Sequence, residues 1–277
     1  MRPAVPNRDR AERLAALPLK KDLDVRSNRT KAKLKRGESV YGCFVRYPDP
    51  GLVELLGRFG WDFMVFESEH GRLDPRTCEE MVRAAELNGI TPIVRVTTNS
   101  PSIILRFLDT GAQGIIVPQV NSAEEAERAV AAVKFQPRGN RGLSGSRAAD
   151  YGQGLSFGDH VVRSNRETLV VLYVETAEAV RQLPRILAVE GVDVVNVGRT
   201  DLSHSLGVPG QPEHPRMRQC LQEILAGLRN SPVALGIMAA NPEAARHWRA
   251  RGARYISINL ESLLKQSMRE FLSGARG

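Results

Sequence analysis

Two carboxylates stand directly after two of the apolar runs in this sequence. Glu175 follows the run Leu169–Val174, and Asp201 follows the run at residues 193–198. If these runs are neighbouring parallel strands, both side chains lie at the same edge of the sheet and face one cavity. Carboxylate oxygens suit Mg²⁺, Mn²⁺ or a similar divalent cation, with water or substrate completing its coordination shell. The alternative is that both carboxylates cap helices, because Asp201 immediately precedes Leu202-Ser203.

A histidine and an arginine end two other apolar runs. His70 closes the stretch Glu67-Ser68-Glu69-His70 after the second run, and Arg95 lies at the end of the third. Histidine titrates near neutral pH and suits general acid–base catalysis. A guanidinium on an apolar strand requires an anionic partner, such as a substrate or a developing oxyanion. Two alternatives remain open: a structural role for His70, and a buried ion pair of Arg95 with Glu67 or Glu69.

Lysine gives a negative result. Of the seven lysines, five lie within residues 1–37, Lys134 ends a predicted helix and Lys265 lies in the last helix. A Schiff-base mechanism therefore has no candidate at a strand end, and a metal would have to be the electron sink in any carbon–carbon chemistry. No Gly-x-Gly-x-x-Gly motif opens the first strand–helix turn, so no nucleotide cofactor is predicted.

The elements that would position these residues alternate regularly. Eight short runs, most of them continuously apolar, are typical of parallel strands covered on both faces. Helix signals separate them, with Asp-Pro, Ser-Pro or Asn-Pro pairs at helix starts and glycines at helix ends. Eight such repeats predict an α/β fold, the (β/α)₈ TIM barrel, with an open doubly wound sheet as the alternative. The runs are residues 40–45, 63–66, 92–96, 114–118, 169–174, 193–198, 234–238 and 255–258.

Residues 139–166, between the fourth and fifth runs, form the longest stretch without a clear element. A loop of that length in a compact domain is usually functional or forms an interface. We therefore expect a functional or interface loop there.

Composition excludes several classes of protein. The chain of 277 residues is 42% hydrophobic and 25% charged, and no run approaches the roughly 18–20 apolar residues of a membrane helix. The N-terminus lacks the apolar core of a secretory signal. Three widely separated cysteines indicate neither a disulfide framework nor a zinc site. We expect a cytoplasmic enzyme with no membrane partner.

The net charge of +8 is confined to one end of the chain. Residues 1–37 contain twelve basic and four acidic side chains, whereas the remaining 240 residues contain 27 of each. Residues 1–37 have no aromatic side chain on which bases could stack, so a nucleic-acid-binding barrel is the weaker hypothesis. We expect a flexible basic extension at residues 1–27, a short basic helix closed by Gly37, and one catalytic barrel over residues 28–277.

Seven short motifs in a fixed order span about residues 37–272 and carry a specific resemblance. They are residues 62–63 with 69–71, 90–96, 108–114, 117–118, 137–142, 174–176 and 198–203. Together they resemble the HpcH/HpaI family of class II, metal-dependent pyruvate aldolases. The resemblance implies a barrel of the phosphoenolpyruvate/pyruvate-binding type. It also implies aldol cleavage or formation of 4-hydroxy-2-oxo acids, from a 2-oxo acid and an aldehyde, through a pyruvate enolate.

The resemblance implies roles for individual residues. Glu175 and Asp201 are similar to the family's ligands for a divalent metal, which would be Mg²⁺, Mn²⁺ or Co²⁺. Arg95 is similar to the residue that binds the keto oxygen and steadies the enolate, and His70 to the acid–base residue. The backbone of residues 199–201 would hold the substrate carboxylate.

Asp109 matches the carboxylate that pairs with this histidine in the family. It lies at the end of a predicted helix, just before the turn into the fourth strand, which is the face opposite the active site of its own barrel. It can reach a catalytic histidine only from a neighbouring subunit. We therefore expect a homo-oligomer with shared sites, and the resemblance implies a hexamer, a trimer of dimers with exchanged C-terminal helices.

Three residues near the expected metal depart from the family pattern. Glu67 opens a stretch where the family usually has Asp-Gly-Glu-His, Tyr173 stands where Gln is common, and Arg199 stands where Pro is common. With Arg95 and Thr200 they form the expected substrate-binding set. An added arginine such as Arg199 predicts a further anionic group on the substrate.

Other activities stay open. Residues 41–42, 48–50 and 201–207 also resemble the siderophore-pathway citrate synthase branch of the family, which condenses oxaloacetate with an acetyl thioester. A non-catalytic barrel that serves as a scaffold is a further hypothesis, and the presence of all the candidate catalytic residues weakens it.

Overall fold

The computed structural model describes residues 27–276, so nearly all of the predicted extension at residues 1–27 lies outside the described part of the chain. Eight parallel strands close into a barrel in sequence order, with the last strand hydrogen-bonded to the first. The predicted (β/α)₈ barrel is confirmed, and closure excludes the open sheet. The strands are β1 (Val40–Val45), β2 (Phe63–Glu67), β3 (Thr91–Arg95), β4 (Gly114–Val117), β5 (Leu169–Val174), β6 (Val194–Val197), β7 (Ala234–Met238) and β8 (Ala253–Asn259).

Helices surround the barrel and follow its strands. They are α1 (Arg29–Lys35), α2 (Pro50–Gly57), α3 (Pro75–Leu87), α4 (Pro101–Asp109), α5 (Ala123–Val133), α6 (Phe157–Glu167), α7 (Ala177–Leu187), α8 (Arg199–Ser205), α9 (Pro215–Leu228), α10 (Pro242–Ala250) and α11 (Leu260–Arg276), with a short 3₁₀ helix at Arg147–Gly152. Within residues 27–276, none of these helices combines the length and apolar character needed to cross a membrane.

The helix-start signals work as the sequence predicts. The side chains of Asp49, Asp74 and Asn241 each accept a hydrogen bond from a backbone N–H in the first turn of α2, α3 and α10. Each is followed by a proline at the first helical position. Ser100 precedes Pro101 in the same way without a side-chain cap bond. These caps fix where each helix begins relative to the strand before it.

Two apolar layers hold the barrel together. Outward-facing strand residues pack against the helices in one large buried cluster. Inward-facing residues, among them Val65, Ile93, Ile116, Val171 and Val194, fill the lumen as a second cluster. Because both faces of each strand are buried, the strands are continuously apolar in sequence.

Helix α1 closes the amino end of the barrel. Leu34 packs into the lumen cluster. The Nζ of Lys31 donates to the carbonyl oxygen of Thr168 at 2.9 Å and to the carboxylate of Asp193 at 2.8 Å. Gly37, with φ of +78°, follows the helix end, as predicted. Helix α1, which carries part of the basic charge of residues 1–37, therefore acts as a structural plug at the amino end of the barrel.

The structure corrects the prediction of a long loop at residues 139–166. Helix α6 covers most of the second half of this stretch. Ser156 precedes the helix, and its side chain caps the first turn. The buried residues of α6 are His160, Ser164 and Asn165. Because none of them is apolar, the helix has no hydrophobic stripe in the sequence. It is held instead by hydrogen bonds, such as those between the Asn165 side chain and the backbone of Phe135.

Replacing Lys31 tests the importance of the plug. Lys31→Met should lower the free energy of unfolding by about 3 kcal/mol, because it leaves the half-buried carboxylate of Asp193 without its cation. Lys35→Met, on the exposed side of the same helix, is the matched control and should change little. Urea unfolding followed by fluorescence compares the two variants, and equal stabilities would show that the ion pair contributes nothing.

Candidate active site

The carboxyl ends of the strands bring the main candidate residues to one end of the barrel. Glu67 is the last residue of β2, and Arg95 is the last residue of β3. Glu175 directly follows β5, and Asp201 lies in the first turn of α8, just after β6. This is the end at which barrels of this type place their active sites.

Arg95 forms the ion pair that the sequence left as an alternative. Its Nε donates to Oε2 of Glu67 at 2.7 Å, and its Nη2 contacts the same oxygen. Its Nη1 lies 3.2 Å from Oε2 of Glu69. The guanidinium carbon is 5.4 Å from the ring centre of Phe44 and 5.3 Å from that of Tyr173. Burial disfavours its charge, but the carboxylates outweigh this and raise the pKa of Arg95.

Glu67 organises the turn after β2. It is 1% exposed, and its Oε1 accepts hydrogen bonds from the backbone N–H of Glu69 at 2.7 Å and of His70 at 3.2 Å. Its other oxygen is held by Arg95. Both oxygens of this carboxylate are thus used by the protein. Glu67 holds Arg95 and the backbone of Glu69 and His70 in place, and its predicted contact with substrate stays a prediction.

His70 lies on the open side of this turn. Its side chain is 56% exposed, and its Nε2 is 3.7 Å from Oε2 of Glu69. Glu69 therefore stands between Arg95 and His70. An exposed imidazole beside a buried acid and an arginine can exchange protons with a bound substrate and with solvent.

Glu175 is held by two backbone features. Its Oε1 accepts a hydrogen bond at 2.7 Å from the N–H of Gln119, a residue with φ of +53°. A β-carbon at Gly198 would overlap Oε2 of Glu175, so only glycine allows this close approach. The carboxylate is fixed at the junction of β5 and β6, next to the turn that carries Asp201.

The site carries more negative charge than positive. Burial raises the pKa of Glu175 to about 7, and the nearby carboxylates of Asp201 and Glu69 contribute to this rise. Burial also raises the pKa of Glu69, with Glu67 and Asp201 adding to it. Glu69, Glu175 and Asp201 thus lie near one another with Arg95 close to Glu69 and Glu175, and a divalent cation would relieve the repulsion among the carboxylates.

The donor set suits a hard cation with few protein ligands. Among residues 27–276 there is no cluster of three or more His, Cys, Asp or Glu side chains arranged to hold a metal. A cation held by Glu175 and Asp201 would receive two protein oxygens, with water and substrate completing the shell, as Mg²⁺ commonly accepts.

Arg199 turns away from these carboxylates. Its Nη2 donates to the carbonyl oxygen of Met238 at 2.9 Å, and its guanidinium carbon lies 5.5 Å from the ring centre of Trp248. Burial lowers its pKa. Thr200 is exposed, and its backbone carbonyl oxygen accepts a hydrogen bond from the hydroxyl of Ser203. The sequence could not show this orientation, because the anchor at Met238 comes from the next strand.

Asp109 is not part of this group. It is the last residue of α4, at the amino end of the strands, where its Oδ1 accepts a hydrogen bond from Arg141 at 2.8 Å. Its Oδ2 lies 3.4 Å from the hydroxyl of Ser144. Its side chain is 28% exposed. Within one subunit it is remote from His70, as predicted from its place in the helix.

Lys134 has a lowered pKa, as Schiff-base lysines do, but it lies at the end of the barrel opposite the candidate active site. Burial, followed by the neighbouring charge of Lys31, lowers its pKa to about 7. Its Nζ donates to the carbonyl oxygens of Asn165 and Thr168, which lie at the amino end of the barrel. Lys265 is exposed on α11. In the described chain no lysine stands at the carboxyl end of a strand.

Comparison with known proteins agrees with this geometry. The HpcH/HpaI aldolase/citrate lyase family matches residues 40–265. The 4-hydroxy-2-oxo-heptane-1,7-dioate aldolase of Escherichia coli (strain ATCC 8739) is 33% identical over 250 residues, which cover 90% of this chain and 95% of that enzyme. The hydroxypyruvate/pyruvate aldolase of Sagittula stellata is 32% identical over 243 residues, which cover 87% and 95%.

A solved structure shows the same relation. The citrate synthase SbnG is 30% identical, with a TM-score of 0.80 over 89% of this chain and 96% of that one. The family match covers most of the chain, the two aldolases cover it nearly end to end, and divalent-metal dependence is a general trait of the family. The chain therefore belongs to the HpcH/HpaI aldolase/citrate lyase family, and it is a carbon–carbon lyase of the aldolase type.

Proposed function

We propose that this aldolase cleaves or forms 4-hydroxy-2-oxo acids at the carboxyl end of its barrel, with a divalent metal held by Glu175 and Asp201. The observation that carries the proposal is the charge of the site, where Glu67 and Glu69 pair with Arg95, and Glu69, Glu175 and Asp201 lie near enough for their charges to interact. A bound divalent cation supplies Lewis acidity towards the 2-oxo acid and balances the carboxylates. The resting charge of the protein alone would repel an anionic substrate.

Arg95 is the residue that meets the developing negative charge. Glu67 grips its Nε and Nη2, and Glu69 approaches its Nη1. This grip fixes the plane of the guanidinium before the substrate arrives. A donor that needs no reorientation during the reaction stabilises an enolate oxygen more effectively than a mobile one. Arg95 thus binds the keto oxygen of the 2-oxo acid.

His70 moves the proton of the aldol hydroxyl. Its exposed ring lies beside Glu69. Its backbone N–H donates a hydrogen bond to Glu67, which fixes the backbone from which the imidazole projects. In cleavage it accepts the proton of the 4-hydroxyl group as the carbon–carbon bond breaks, and in synthesis it returns that proton to the aldehyde oxygen. Cleavage releases the aldehyde and leaves the enolate, whose carbon then takes a proton from solvent to give the 2-oxo acid.

The complete site belongs to an oligomer. Asp109 is too far from His70 in its own subunit, and its partly exposed carboxylate is presented by Arg141. Helix α11 carries an exposed apolar stripe, Leu264, Met268, Phe271 and Leu272, the last two 74% and 45% exposed. Such a stripe is normally covered by a partner. We assign it to a neighbouring subunit, in a hexamer built as a trimer of dimers whose Asp109 side chains reach the histidines of adjacent barrels.

Citrate-synthase-like condensation is the second candidate. The likeness to the citrate synthase SbnG, at 30% identity, favours it, but the two aldolases are more similar in sequence, at 33% and 32% identity. Both activities use an oxo acid. In the aldolase reaction the oxo acid supplies the carbon nucleophile, and in the synthase reaction the acetyl thioester supplies it and attacks the oxo acid. A nucleophile from pyruvate indicates the aldolase, and one from an acetyl thioester indicates the synthase.

A substrate screen tests the proposed function. The protein is incubated with Mg²⁺, Mn²⁺ or Co²⁺ and offered pyruvate with aldehydes, oxaloacetate alone, or oxaloacetate with acetyl-CoA, and products are identified by mass. We expect 4-hydroxy-2-oxo acids from pyruvate and an aldehyde. Citrate from oxaloacetate and acetyl-CoA, without any aldol product, would favour the second candidate instead.

The pKa of Glu175 predicts how pH governs metal binding. Its folded value of about 7 lies above the ordinary 4.5, so the metal-free protein keeps a proton that the unfolded chain loses between these values. The stability of the metal-free protein should therefore fall as pH rises from about 4.5 to about 7. Over the same interval Mg²⁺ must displace this proton, so its apparent affinity should rise by about tenfold per pH unit and level off above about 7.

Calorimetric titration with Mg²⁺ at a series of pH values measures this dependence. Glu175→Gln should abolish both Mg²⁺ binding and turnover, and Glu178→Gln, on the exposed side of α7, is the matched control. Unchanged Mg²⁺ affinity in Glu175→Gln, or full turnover by metal-stripped protein, would contradict the assignment of this ligand.

Mixing two inactive variants tests the shared site. Asp109→Ala and His70→Ala should each lose most activity alone. After dissociation and reassembly together, up to about a quarter of the sites combine an intact His70 with an intact Asp109 from the adjacent subunit, and activity should return in proportion. Failure to recover activity in verified mixed oligomers, or full activity of a monomer, would exclude a shared site.

A further inference from the structure

A row of polar side chains crosses the inside of the barrel below Arg95. In the sheet register Tyr173 pairs with Asn196, Asn196 with Gly236, and Gly236 with Tyr255. Residues paired across neighbouring strands project to the same face, and Tyr173 and Tyr255 belong to the lumen cluster. The row therefore runs along the lumen side of β5 to β8. Branched apolar residues dominate most lumens of this kind, so one side of this lumen is unusually polar.

The polar groups of this row have no hydrogen-bond partner within the described chain. The hydroxyls of Tyr173 and Tyr255 and both polar atoms of the Asn196 amide are unpaired. The hydroxyl of Ser257, two residues beyond Tyr255 on β8, is also unpaired. All four residues are at most 4% exposed. Unpaired buried polar groups are costly and rare, so five such atoms in one lumen indicate a bound species that satisfies them.

The backbone makes room for the Asn196 amide. Gly236 stands between Asn196 and Tyr255 in the row and contributes no side chain. A β-carbon at this position would overlap the amide oxygen of Asn196, so the amide leans over the glycine. Ordered water inside proteins makes two to four hydrogen bonds with otherwise unpaired polar groups, and the amide and hydroxyls of this row are groups of that kind.

Tyr173 connects the row to the active site. Its ring centre lies 5.3 Å from the guanidinium carbon of Arg95. Burial raises the pKa of Tyr173, so its hydroxyl stays protonated and can donate a hydrogen bond. Burial raises the pKa of Tyr255, and the neighbouring Tyr173 adds to this rise, in keeping with two nearby hydroxyls. The Tyr173 ring thus lies between the barrel lumen and the guanidinium of Arg95.

We infer that Asn196 is a positioning residue whose amide binds ordered water in the barrel lumen, and that this water fixes the hydroxyl of Tyr173 beneath Arg95. The inference rests on the proposed function, in which Arg95 keeps one orientation towards the 2-oxo acid. Glu67 holds the guanidinium from the side, and the ring of Tyr173 holds it from below. Loss of the water bridge lets Tyr173 tilt. Arg95 then stabilises the developing enolate less well, while the substrate still binds.

High-resolution crystallography tests the water bridge directly. Wild-type crystals diffracting to about 1.5 Å or better should show at least two waters within hydrogen-bond distance of the Asn196 amide, one of them bridging to the Tyr173 hydroxyl. The apolar variant Asn196→Leu, of similar size, should lose that bridging water. A dry wild-type lumen, with these side chains bonded directly to one another, would overturn the inference.

Kinetics test the positioning role. Asn196→Leu and Tyr173→Phe should each lower kcat by about tenfold, with the KM for the 2-oxo acid changed by less than about threefold. The double variant should be no slower than the slower single variant, because both remove the same bridge. Val194→Ala, which truncates an apolar lumen residue on the same strand, is the matched control; it should lower the melting temperature and keep kcat within about twofold of wild type.

Fully additive losses in the double variant, or a kcat of Asn196→Leu equal to that of Val194→Ala, would contradict the positioning role. If the wild-type protein turns over none of the offered substrates, the proposed function fails. The crystallographic result then still decides whether Asn196 and Tyr173 share a bound water, so the two failures can be told apart.

Discussion

Four carboxylates lie at the carboxyl end of this barrel, Arg95 pairs with two of them, and the rest of the site depends on how the remaining negative charge is balanced. The buried pair of Glu67 and Arg95 neutralises one carboxylate and fixes the guanidinium plane. Burial raises the pKa values of Glu69 and Glu175, and repulsion among Glu69, Glu175 and Asp201 adds to the rise. Like charges in a partly buried site stay ionised together only if a cation joins them. In the proposed function, a divalent metal bound by Glu175 and Asp201 balances this negative charge.

The fold supports this arrangement from both ends. At the carboxyl end, Gly198 lets the Glu175 carboxylate approach the backbone closely, and the Gln119 N–H holds its other oxygen. At the amino end, α1 plugs the lumen through Leu34 and ties itself to the barrel through Lys31. The plug adds stability far from the chemistry. The division matches the general rule that one face of such a barrel reacts while the other holds the structure together.

Much of this was predictable from the sequence because it depends on local patterns. Strand positions follow from continuous apolar runs, and helix starts follow from cap-and-proline pairs such as Asp74-Pro75. The candidate residues then follow from the barrel rule, since chemistry lies at strand ends. Helix α6 was missed because its buried face is polar and satisfied by hydrogen bonds to Phe135, which no periodicity reveals.

Other features depend on partners that are distant in sequence. Glu67 was expected to contact substrate, but its two oxygens are used by Arg95 and by the turn that follows β2. Arg199 was expected to face an anion, but its guanidinium packs against Trp248 and the carbonyl oxygen of Met238. The catalytic roles of His70 and Asp109 and the oligomer remain predictions, because a single subunit brings neither its partner nor its substrate.

Metal-dependent enolate formation at Glu175 and Asp201 is measured by deuterium exchange into the methyl group of pyruvate, followed by NMR in D₂O. The exchange requires enolate formation at the charged site and no knowledge of the aldehyde. We predict exchange that needs a divalent cation and is abolished by Glu175→Gln. Exchange that persists in metal-stripped protein or in Glu175→Gln, or no exchange with any divalent cation, would contradict it.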